Sequence, residues 1–241
     1  VGSSRIELIA DAHGKGIGSA ALQLLEDSAH ARGRGTLQAE IEHPQAPGPR
    51  LAAPNGFGDI PLDRTARFLL GQGFNLEQVE RNSVFDLTGD SSLVERMLSE
   101  AVVIAGPDYR VVTWTAPTPA EHLDGFAYAI SRMSTDAPTG GMVVDEQHWD
   151  AARVERRGAR RAAQGLAVSV AAVEHVPTGT IAAYNELVIA EDHSGATQQY
   201  GTLVLTEHRG RRLGTIVKCA NLLRWRALVP TSPRVSTFNA E

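Results

Sequence analysis

Two glycine-rich segments of the chain contain residues that could bind an anion. His13-Gly14-Lys15-Gly16-Ile17-Gly18 and Arg209-Gly210-Arg211-Arg212-Leu213-Gly214 lie 196 positions apart (209 minus 13), and each opens a helical pattern. A glycine-rich loop at the start of a helix points backbone N–H groups and the positive end of the helix dipole outward. Glycine also lets the backbone approach a ligand without an intervening Cβ. Both segments therefore predict a site for a pyrophosphate or a similar anion.

The elements around these loops are repeated as well. Within Arg5–Ser19 and Gly201–Thr215, a short apolar strand precedes each loop, and a helix with one apolar face follows it. Each helix leads to a strand with a similar ending, Leu37–Glu40 in the first copy and Phe238–Glu241 in the second. The offset grows from 196 to 201 (238 minus 37), and a repeated domain tolerates such a change in a connection. The pattern predicts a duplicated cofactor-binding protein.

Length, charge and cysteine content limit the classes of function. The 241 residues allow two domains, and a hydrophobic content of 42% can fill two cores. A net charge of −5 argues against a nucleic-acid partner, which usually requires a basic face. Without a bilayer-spanning apolar run or a signal peptide, we expect a cytoplasmic protein with no membrane partner. The single cysteine, Cys219, predicts a buried thiol, and the scattered histidines predict no metal site.

Proline and turn residues divide the chain into domains. Residues 43–62 contain five prolines and predict a loop. A helix at Arg64–Gln72 and a strand at Glu77–Leu87 close the first unit near Thr88. We therefore predict a first domain over 1–88, a linker with a short helix over 89–108, and a second domain over 109–241.

The second domain alternates strands and helices in an order typical of a mixed α/β fold. The predicted elements are a strand at Arg110–Thr115, a helix at 119–132, a loop at Met133–Gly141, a helix at Asp145–Gln164, strands at Ala167–Glu174, Thr180–Ile189 and Gln198–Leu205, the second glycine loop with its helix, and a last strand.

The loops and this order of elements resemble the GCN5-related N-acetyltransferases. The family's motif is Arg or Gln, two residues, Gly, one residue, then Gly or Ala, between the fourth strand and the third helix. His13 replaces the Arg or Gln in the first loop, and Arg212 replaces the first Gly in the second. The segments Arg67–Phe74 and Arg132–Pro138 also resemble segments of tandem members of this family, which are common in actinobacteria. The resemblance implies two tandem acyl-CoA N-acyltransferase domains, each with a central mixed sheet flanked by helices, both incomplete in this chain.

The resemblance implies acetyl-CoA as the cofactor. Its pyrophosphate would lie on the loop amides, and its pantetheine arm would pair with the fourth strand where that strand splays from the fifth. Arg211 and Arg212 either strengthen the second site by their charge or, in the case of Arg212, partly block it. The implied cofactor-binding residues are Leu8, Ile9, Ala10, His13, Gly14, Lys15, Gly16, Ile17, Gly18 and Ser19 in the first copy, and Leu203, Val204, Leu205, Arg209, Gly210, Arg211, Arg212, Leu213, Gly214, Thr215 and Asn239 in the second, with Gln38 as the counterpart of Asn239.

The resemblance also implies acetyl transfer to a primary amine by direct attack in a ternary complex. Glu186 is the predicted general base, because it is the one carboxylate within the central strands of the second unit, and Tyr200 is predicted to hydrogen-bond substrate. The family's usual thiolate donor, a tyrosine, has no counterpart, since Phe68 is the aromatic residue on the first unit's helix. Asp136 either meets the ammonium of the acceptor or caps a turn.

The acceptor class stays open between a small-molecule amine and a peptide amine. A non-catalytic acyl-CoA-binding or scaffolding protein is the alternative to an enzyme. Because the two predicted domains lack complementary parts, we expect a chain trimmed at both ends, since an exposed sheet edge is unfavourable. Alternatively, the tail of the first unit and the head of the second complete one sheet, within the chain or by exchange in a homodimer.

Overall fold

The computed structural model describes residues 1–137, 140–193 and 195–240, which form two compact units. Unit 1 comprises Val1–Arg81 with residues 140–145 and 240, and unit 2 comprises Asn82–Ala137 with the described residues of Glu146–Asn239. Residues 82–108, assigned above to the first domain and the linker, therefore lie in unit 2. Part of the predicted Met133–Gly141 loop (Pro138 and Thr139) and the last residue of the predicted second domain, Glu241, lie outside the described residues.

Unit 1 is built from short elements. β1 and β2 pair in parallel, and β3 and β4 form an antiparallel hairpin. Among the described residues, these two-stranded sheets stand in place of the central mixed sheet that we predicted for the first domain. The regular elements of unit 1 are β1 (Gly2–Ser4), α1 (Ile17–Ala31), β2 (Leu37–Ala39), β3 (Arg50–Ala52), β4 (Asp59–Pro61) and α2 (Arg64–Gly71).

Unit 2 contains a mixed sheet in the order β5-β10-β9-β8-β7-β6. Strands β6 to β9 pair antiparallel in chain order, whereas β10 runs parallel to β9. The mixed α/β fold predicted from the sequence is confirmed. The remaining elements are β5 (Glu80–Asp86), α3 (Ser92–Ala105), β6 (Tyr109–Thr115), α4 (Leu123–Asp136), α5 (Ala151–Ala163), β7 (Leu166–His175), β8 (Thr180–Ala190), β9 (Thr197–Val204), α6 (Leu213–Leu228) and β10 (Arg234–Ala240).

Helices cover both faces of this sheet, so its central strands are buried on both sides. Tyr184 and Val188 of β8 pack in one cluster with Phe126 of α4, and Ala183 packs in another with Ile216 of α6. Successive strand residues point to opposite faces, which explains the almost continuous burial of β7 and β8. The predicted buried thiol is confirmed, since Cys219 is buried on α6 and burial raises the pKa of that thiol.

Two elements differ from their predicted roles. The predicted linking helix is α3, and its Ala101 and Ala105 pack in the core against α6. The strand predicted to close the first domain is β5, which lies beside β10 in the sheet, and Leu87 N–H donates to Pro233 O at 2.9 Å. A strand that precedes β6 in the chain thus extends this sheet, as in the within-chain alternative above.

The long charged helix begins later than its sequence indicated. We predicted Asp145–Gln164, whereas α5 begins at Ala151 because the carboxylate of Asp150 accepts a hydrogen bond from Arg153 N–H at 2.6 Å and caps the helix. No helix in the described ranges is long and apolar enough to span a membrane.

Candidate functional site

The loop between β9 and α6 exposes backbone donors at the N-terminus of a buried helix. Gly210 and Arg212 adopt the left-handed conformation, with φ of 79° and 58°. Ile216 N–H donates to Arg212 O at 3.1 Å, but no acceptor within the described residues meets the N–H groups of residues 210–215. A Cβ added at Gly210 would meet no atom within 4 Å, so the space before the loop is open. Free amides at a helix N-terminus suit a pyrophosphate.

The loop before α1 repeats this backbone. Gly14 and Gly16 are left-handed at φ 71° and 77°, and Ala20 N–H donates to Gly16 O at 3.0 Å. Short 3-10 turns, Ala10–Ala12 and Thr206–His208, precede the two loops at equivalent positions. The duplication seen in the sequence is therefore also a duplication of backbone conformation.

From the sequence, we explained the glycines of the first loop by close approach of the backbone to a ligand, but the structure gives them other roles. Gly14 and Gly16 are required by their positive φ rather than by close approach of a ligand alone. Gly18 lies inside α1, where an added Cβ would come within 3.4 Å of both Leu8 and Phe68. Gly18 therefore fits close packing against these two side chains.

Arg209 fixes the start of the second loop instead of facing a ligand. Its Nη2 donates to Asp136 O at 2.6 Å and its Nε to Val204 O at 3.3 Å, which joins the end of α4 to the end of β9. The carboxylate of Asp136 accepts from Thr206 N–H at 3.2 Å and from Arg132. The prediction that Asp136 meets an acceptor is wrong, because its side chain is 2% exposed and already paired.

The charge state of Asp136 follows from these contacts. Burial by itself would raise the pKa of Asp136, but the hydrogen bonds from Thr206 and Thr135 and the charge of Arg132 outweigh it, so the pKa lies below its ordinary value. Asp136 is thus held as a carboxylate that anchors the loop.

The other predicted cofactor residues of unit 2 divide between core and surface. Leu203, Leu205 and Leu213 are buried, so only their backbone can reach a ligand. Gly214 faces the side chain of Val204, and Thr215 is half-buried. The exposed residues are Arg211, Arg212 and Asn239, and the Arg211 guanidinium lies 5.7 Å from the ring of Tyr109.

In unit 1, the predicted strand contacts at Leu8, Ile9 and Ala10 are wrong. β1 ends at Ser4, Leu8 and Ile9 have no regular structure, and Ala10 begins the 3-10 turn. Ile9 is 76% exposed. The predicted loop residues His13, Lys15, Ile17 and Ser19 are also exposed, and Gln38 donates to Val143 O at 3.1 Å. A strand edge beside the first loop is therefore missing from the described part of unit 1.

β9 diverges from β10 next to a β-bulge. Within the described residues, the two strands pair at Val235 with Thr197 and at Ser236 with Gln198, although β9 continues to Val204. Tyr200 and Gly201 together lie opposite Glu186 of β8, where the register shifts, and such a bulge bends its strand. Because Leu205 N–H donates to Ala182 O, the alternation of an antiparallel ladder turns the backbone groups of Val204 and Thr202 toward the open edge.

Glycine is required at the bulge. A Cβ on Gly201 would lie 2.9 Å from Tyr184 Oη and 3.0 Å from its Cε2. Tyr184 is 2% exposed and cannot move aside easily. Burial raises the pKa of Tyr184 far above its ordinary value, so this hydroxyl stays protonated.

The two predicted catalytic residues lie at this bulge, Tyr200 in β9 and Glu186 opposite it in β8. Glu186 is buried, and its carboxylate accepts from Arg157 at 2.9 and 3.3 Å and from Arg161 at 2.8 Å. Burial lowers the pKa of Arg157, while the charge of Glu186 opposes that change. Tyr200 is 56% exposed, and the Arg161 guanidinium lies 5.5 Å from its ring centroid. Glu186 is engaged as an ion-pair partner, and its role as a general base stays a prediction.

Comparison with known proteins identifies the fold. No protein-family model matches the chain, and no curated protein matches it. A tandem GNAT protein from the clavulanic acid biosynthesis pathway superposes with a TM-score of 0.67 at 22% identity, over 99% of this chain and 66% of that one. The chain has the fold of the GCN5-related N-acetyltransferases (GNATs).

Two further solved structures share the GNAT fold at lower similarity. The glucosamine N-acetyltransferase region of a fungal multi-domain GH3 β-N-acetylglucosaminidase has a TM-score of 0.56 at 11% identity, over 97% of this chain and 26% of that one. A GCN5-related N-acetyltransferase from Sphaerobacter thermophilus has a TM-score of 0.52 at 11% identity, over 96% and 61%. The chain spans no more than 66% of the length of these three proteins.

Sequence reasoning missed three residues on the α4 and α5 face of this GNAT sheet. Arg157, Arg161 and Trp114 line a small cavity with Glu186. Arg153, Arg157 and Arg161 follow each other at four-residue spacing, which places them on one face of a helix. That spacing was the available signal. Among the described residues, no group of three or more His, Cys, Asp or Glu side chains could hold a metal ion.

Proposed function

We propose that unit 2 binds acetyl-CoA and transfers its acetyl group to a primary amine. The observation that carries the proposal is the continuity of two features, since the open edge of β9 leads directly into the loop with free amides. An extended ligand arm can add to a free strand edge while its anionic end lies on a helix N-terminus. The GNAT fold supports this proposal, and so do the N-acetyltransferase neighbours named above.

The residues present fit this ligand. The N–H groups of residues 210–215 would hold the pyrophosphate, and the exposed Arg211 and Arg212 would add positive charge. Backbone groups of Thr202 and Val204 would pair with the pantetheine arm. The bent segment Tyr200–Gly201 would then lie at the thioester end of the arm.

Acetyl-CoA would supply an activated acyl group: the amine nitrogen bonds to the thioester carbonyl carbon, the C–S bond breaks with its electron pair on sulfur, and the amine proton leaves to solvent. The chain's part is to hold both reactants at attack distance in a ternary complex. Tyr200, which is exposed at the bulge, would hydrogen-bond the acceptor. Glu186, as an ion-pair partner, orients Arg157 and Arg161 beside Tyr200.

We assign the activity to the second loop rather than the first. The first loop has the same free amides, but β1 has three residues and ends twelve residues before Gly16 (16 minus 4). Without an adjacent strand edge, a ligand on that loop would lose the contacts along its arm.

Calorimetric titration of the full chain with CoA and acetyl-CoA tests the binding step, and thiol release over a panel of amines tests the transfer. Binding of acetyl-CoA with amine-dependent release of CoA is the expected result. Binding without release for any class of amine would favour the non-catalytic alternative. If millimolar ligand produced no heat and no thermal shift, that result would contradict acetyl-CoA binding and, with it, both the transfer and the acyl-CoA-binding alternative.

A further inference from the structure

The cavity on the α4 and α5 face of unit 2 contains more positive charge than its own residues neutralise. Arg157 and Arg161 share a single carboxylate, that of Glu186. Arg157 makes two hydrogen bonds with it, whereas Arg161 uses one of its N–H donors, through Nη1. In the described part of the chain, the other N–H groups of Arg161 have no acceptor. Arg161 is therefore the cation available to a ligand.

A buried donor lines the same cavity. Trp114 is 5% exposed, and its Nε1–H has no hydrogen-bond partner among the described residues. A buried N–H without an acceptor is rare because leaving it unpaired costs free energy. The cavity has a volume of about 20 Å³, which is room for one water-sized group, such as one oxygen of a carboxylate whose remainder lies outside the cavity. The guanidinium of Arg161 and the indole N–H of Trp114 are both hydrogen-bond donors. A small anion would provide the acceptor that these donors lack.

We propose that Arg161 and Trp114 bind a carboxylate of the acceptor, so that the substrate is an amine that also carries a carboxylate. This inference rests on the proposed function. The single unmatched positive charge favours a monoanion, and a planar carboxylate suits the guanidinium fork. Glu186 is then a positioning residue, which holds Arg161 toward the cavity.

The strand register limits the distance between the two groups of the acceptor. Trp114 pairs with Val170, Val170 pairs with Glu186, and the bulge lies opposite Glu186 on the next strand. Neighbouring strands are about 4.8 Å apart, so a carboxylate between Trp114, three strands away, and Glu186, one strand away, lies about 5 to 14 Å from the bulge. An extended chain covers about 1.2 Å per bond, so roughly four to twelve bonds separate the amine from the carboxylate. The acceptor is therefore an ω-amino acid, whose amine and carboxylate are several bonds apart, rather than an α-amino acid that reacts at its α-amine.

The test uses 6-aminohexanoate and its carboxamide as matched acceptors for the full chain. With acetyl-CoA, we expect kcat/KM for the acid to exceed that for the amide by at least tenfold. Arg161→Gln should remove this preference by raising KM for the acid, with the affinity for CoA unchanged. Trp114→Phe, which removes only the indole N–H donor, should reduce the preference several-fold. Arg160→Gln is the control, since Arg160 is an exposed neighbour on α5 with no side-chain hydrogen bond among the described residues.

Binding of 6-aminohexanoate by calorimetry, with and without CoA, separates the possible failures. Arg161-dependent binding of the acid without CoA binding would support the pocket and contradict the proposed function. CoA binding with equal use of acid and amide, or a preference that survives Arg161→Gln, would overturn the carboxylate proposal. No binding of the acid in either state would overturn it as well.

Discussion

The two glycine loops have the same backbone and very different surroundings. Both have two left-handed residues, two positions apart, and a run of free amides. The helix after the second loop buries six residues, whereas α1 buries one. β9 has eight residues within a six-stranded sheet, and β1 has three within a two-stranded sheet. Loop conformation is therefore local, whereas a long free strand edge beside the loop requires a larger sheet.

The largest expected effect concerns a buried polar residue that the second helix has and the first lacks. Asn221 has Leu25 as its counterpart 196 positions earlier (221 minus 25). Its side chain donates to Asn185 Oδ1 at 2.8 Å and Asn185 O at 3.1 Å and accepts from Ser169 Oγ at 2.7 Å. Asn221→Leu would leave these partners unpaired, and we expect unit 2 to lose about 2 to 4 kcal/mol of unfolding free energy.

Urea unfolding followed by tryptophan fluorescence measures this loss, because the three tryptophans of the chain, Trp114, Trp149 and Trp225, all lie in unit 2. Leu25→Asn in α1 is the matched control and should leave the fluorescence transition in place. An Asn221→Leu protein as stable as the parent would show that the buried network is not what distinguishes the second helix.

The second prediction concerns the bulge, which only the second copy possesses among the described residues. Gly201→Ala places a Cβ against the buried ring of Tyr184, and such overpacking costs about 1 to 3 kcal/mol. Affinity for acetyl-CoA should fall too, because the bend of β9 changes. Adding Tyr184→Phe removes the atom nearest to the new Cβ and should restore part of the stability. Purely additive effects of the two substitutions would argue against this contact as the cause.

The third prediction tests which loop holds the anion. Gly210 and Gly14 are both left-handed with open space around a Cβ, and Asp is among the residues that tolerate this conformation. Gly210→Asp should weaken CoA binding at least tenfold, about 1.4 kcal/mol, because its charge opposes the pyrophosphate. Gly210→Asn, uncharged and similar in shape, should weaken it less. If Gly14→Asp has the larger effect in the same titration, the assignment to the second loop is wrong.

The smallest effect concerns the residue that departs from the family motif. Arg212 occupies a left-handed position that Gly16 fills in the first loop, and this costs a non-glycine residue about 1 to 2 kcal/mol. Arg212→Gly should therefore stabilise unit 2, but by less than about 1 kcal/mol, because glycine adds freedom to the unfolded chain. The reverse change, Gly16→Arg, should destabilise unit 1. Thermal unfolding of both variants measures the pair, and stabilisation by Gly16→Arg would refute the strain argument.

Local patterns explain what could be predicted from the sequence. The two loops, their helices and the buried Cys219 depend on nearby residues, and the structure agrees with them. The strand expected at Leu8–Ala10 fails because an apolar run becomes a strand only where a partner strand pairs with it. Likewise, the sequence predicted β5 as the closing strand of the first domain and α3 as a linking helix. In the fold, β5 lies beside β10 and α3 packs against α6.

The repeated loop and helix could be recognised from the residues alone, because glycine spacing and helical periodicity act over a few residues. The packing of the fold determines which loop lies beside a free strand edge, since the divergence of β9 from β10 depends on the registers of β8, β9 and β10. It also decided the environment of Glu186, whose partners Arg157 and Arg161 are 29 and 25 positions away. Contacts between distant residues depend on how strands and helices pack, which local spacing does not encode.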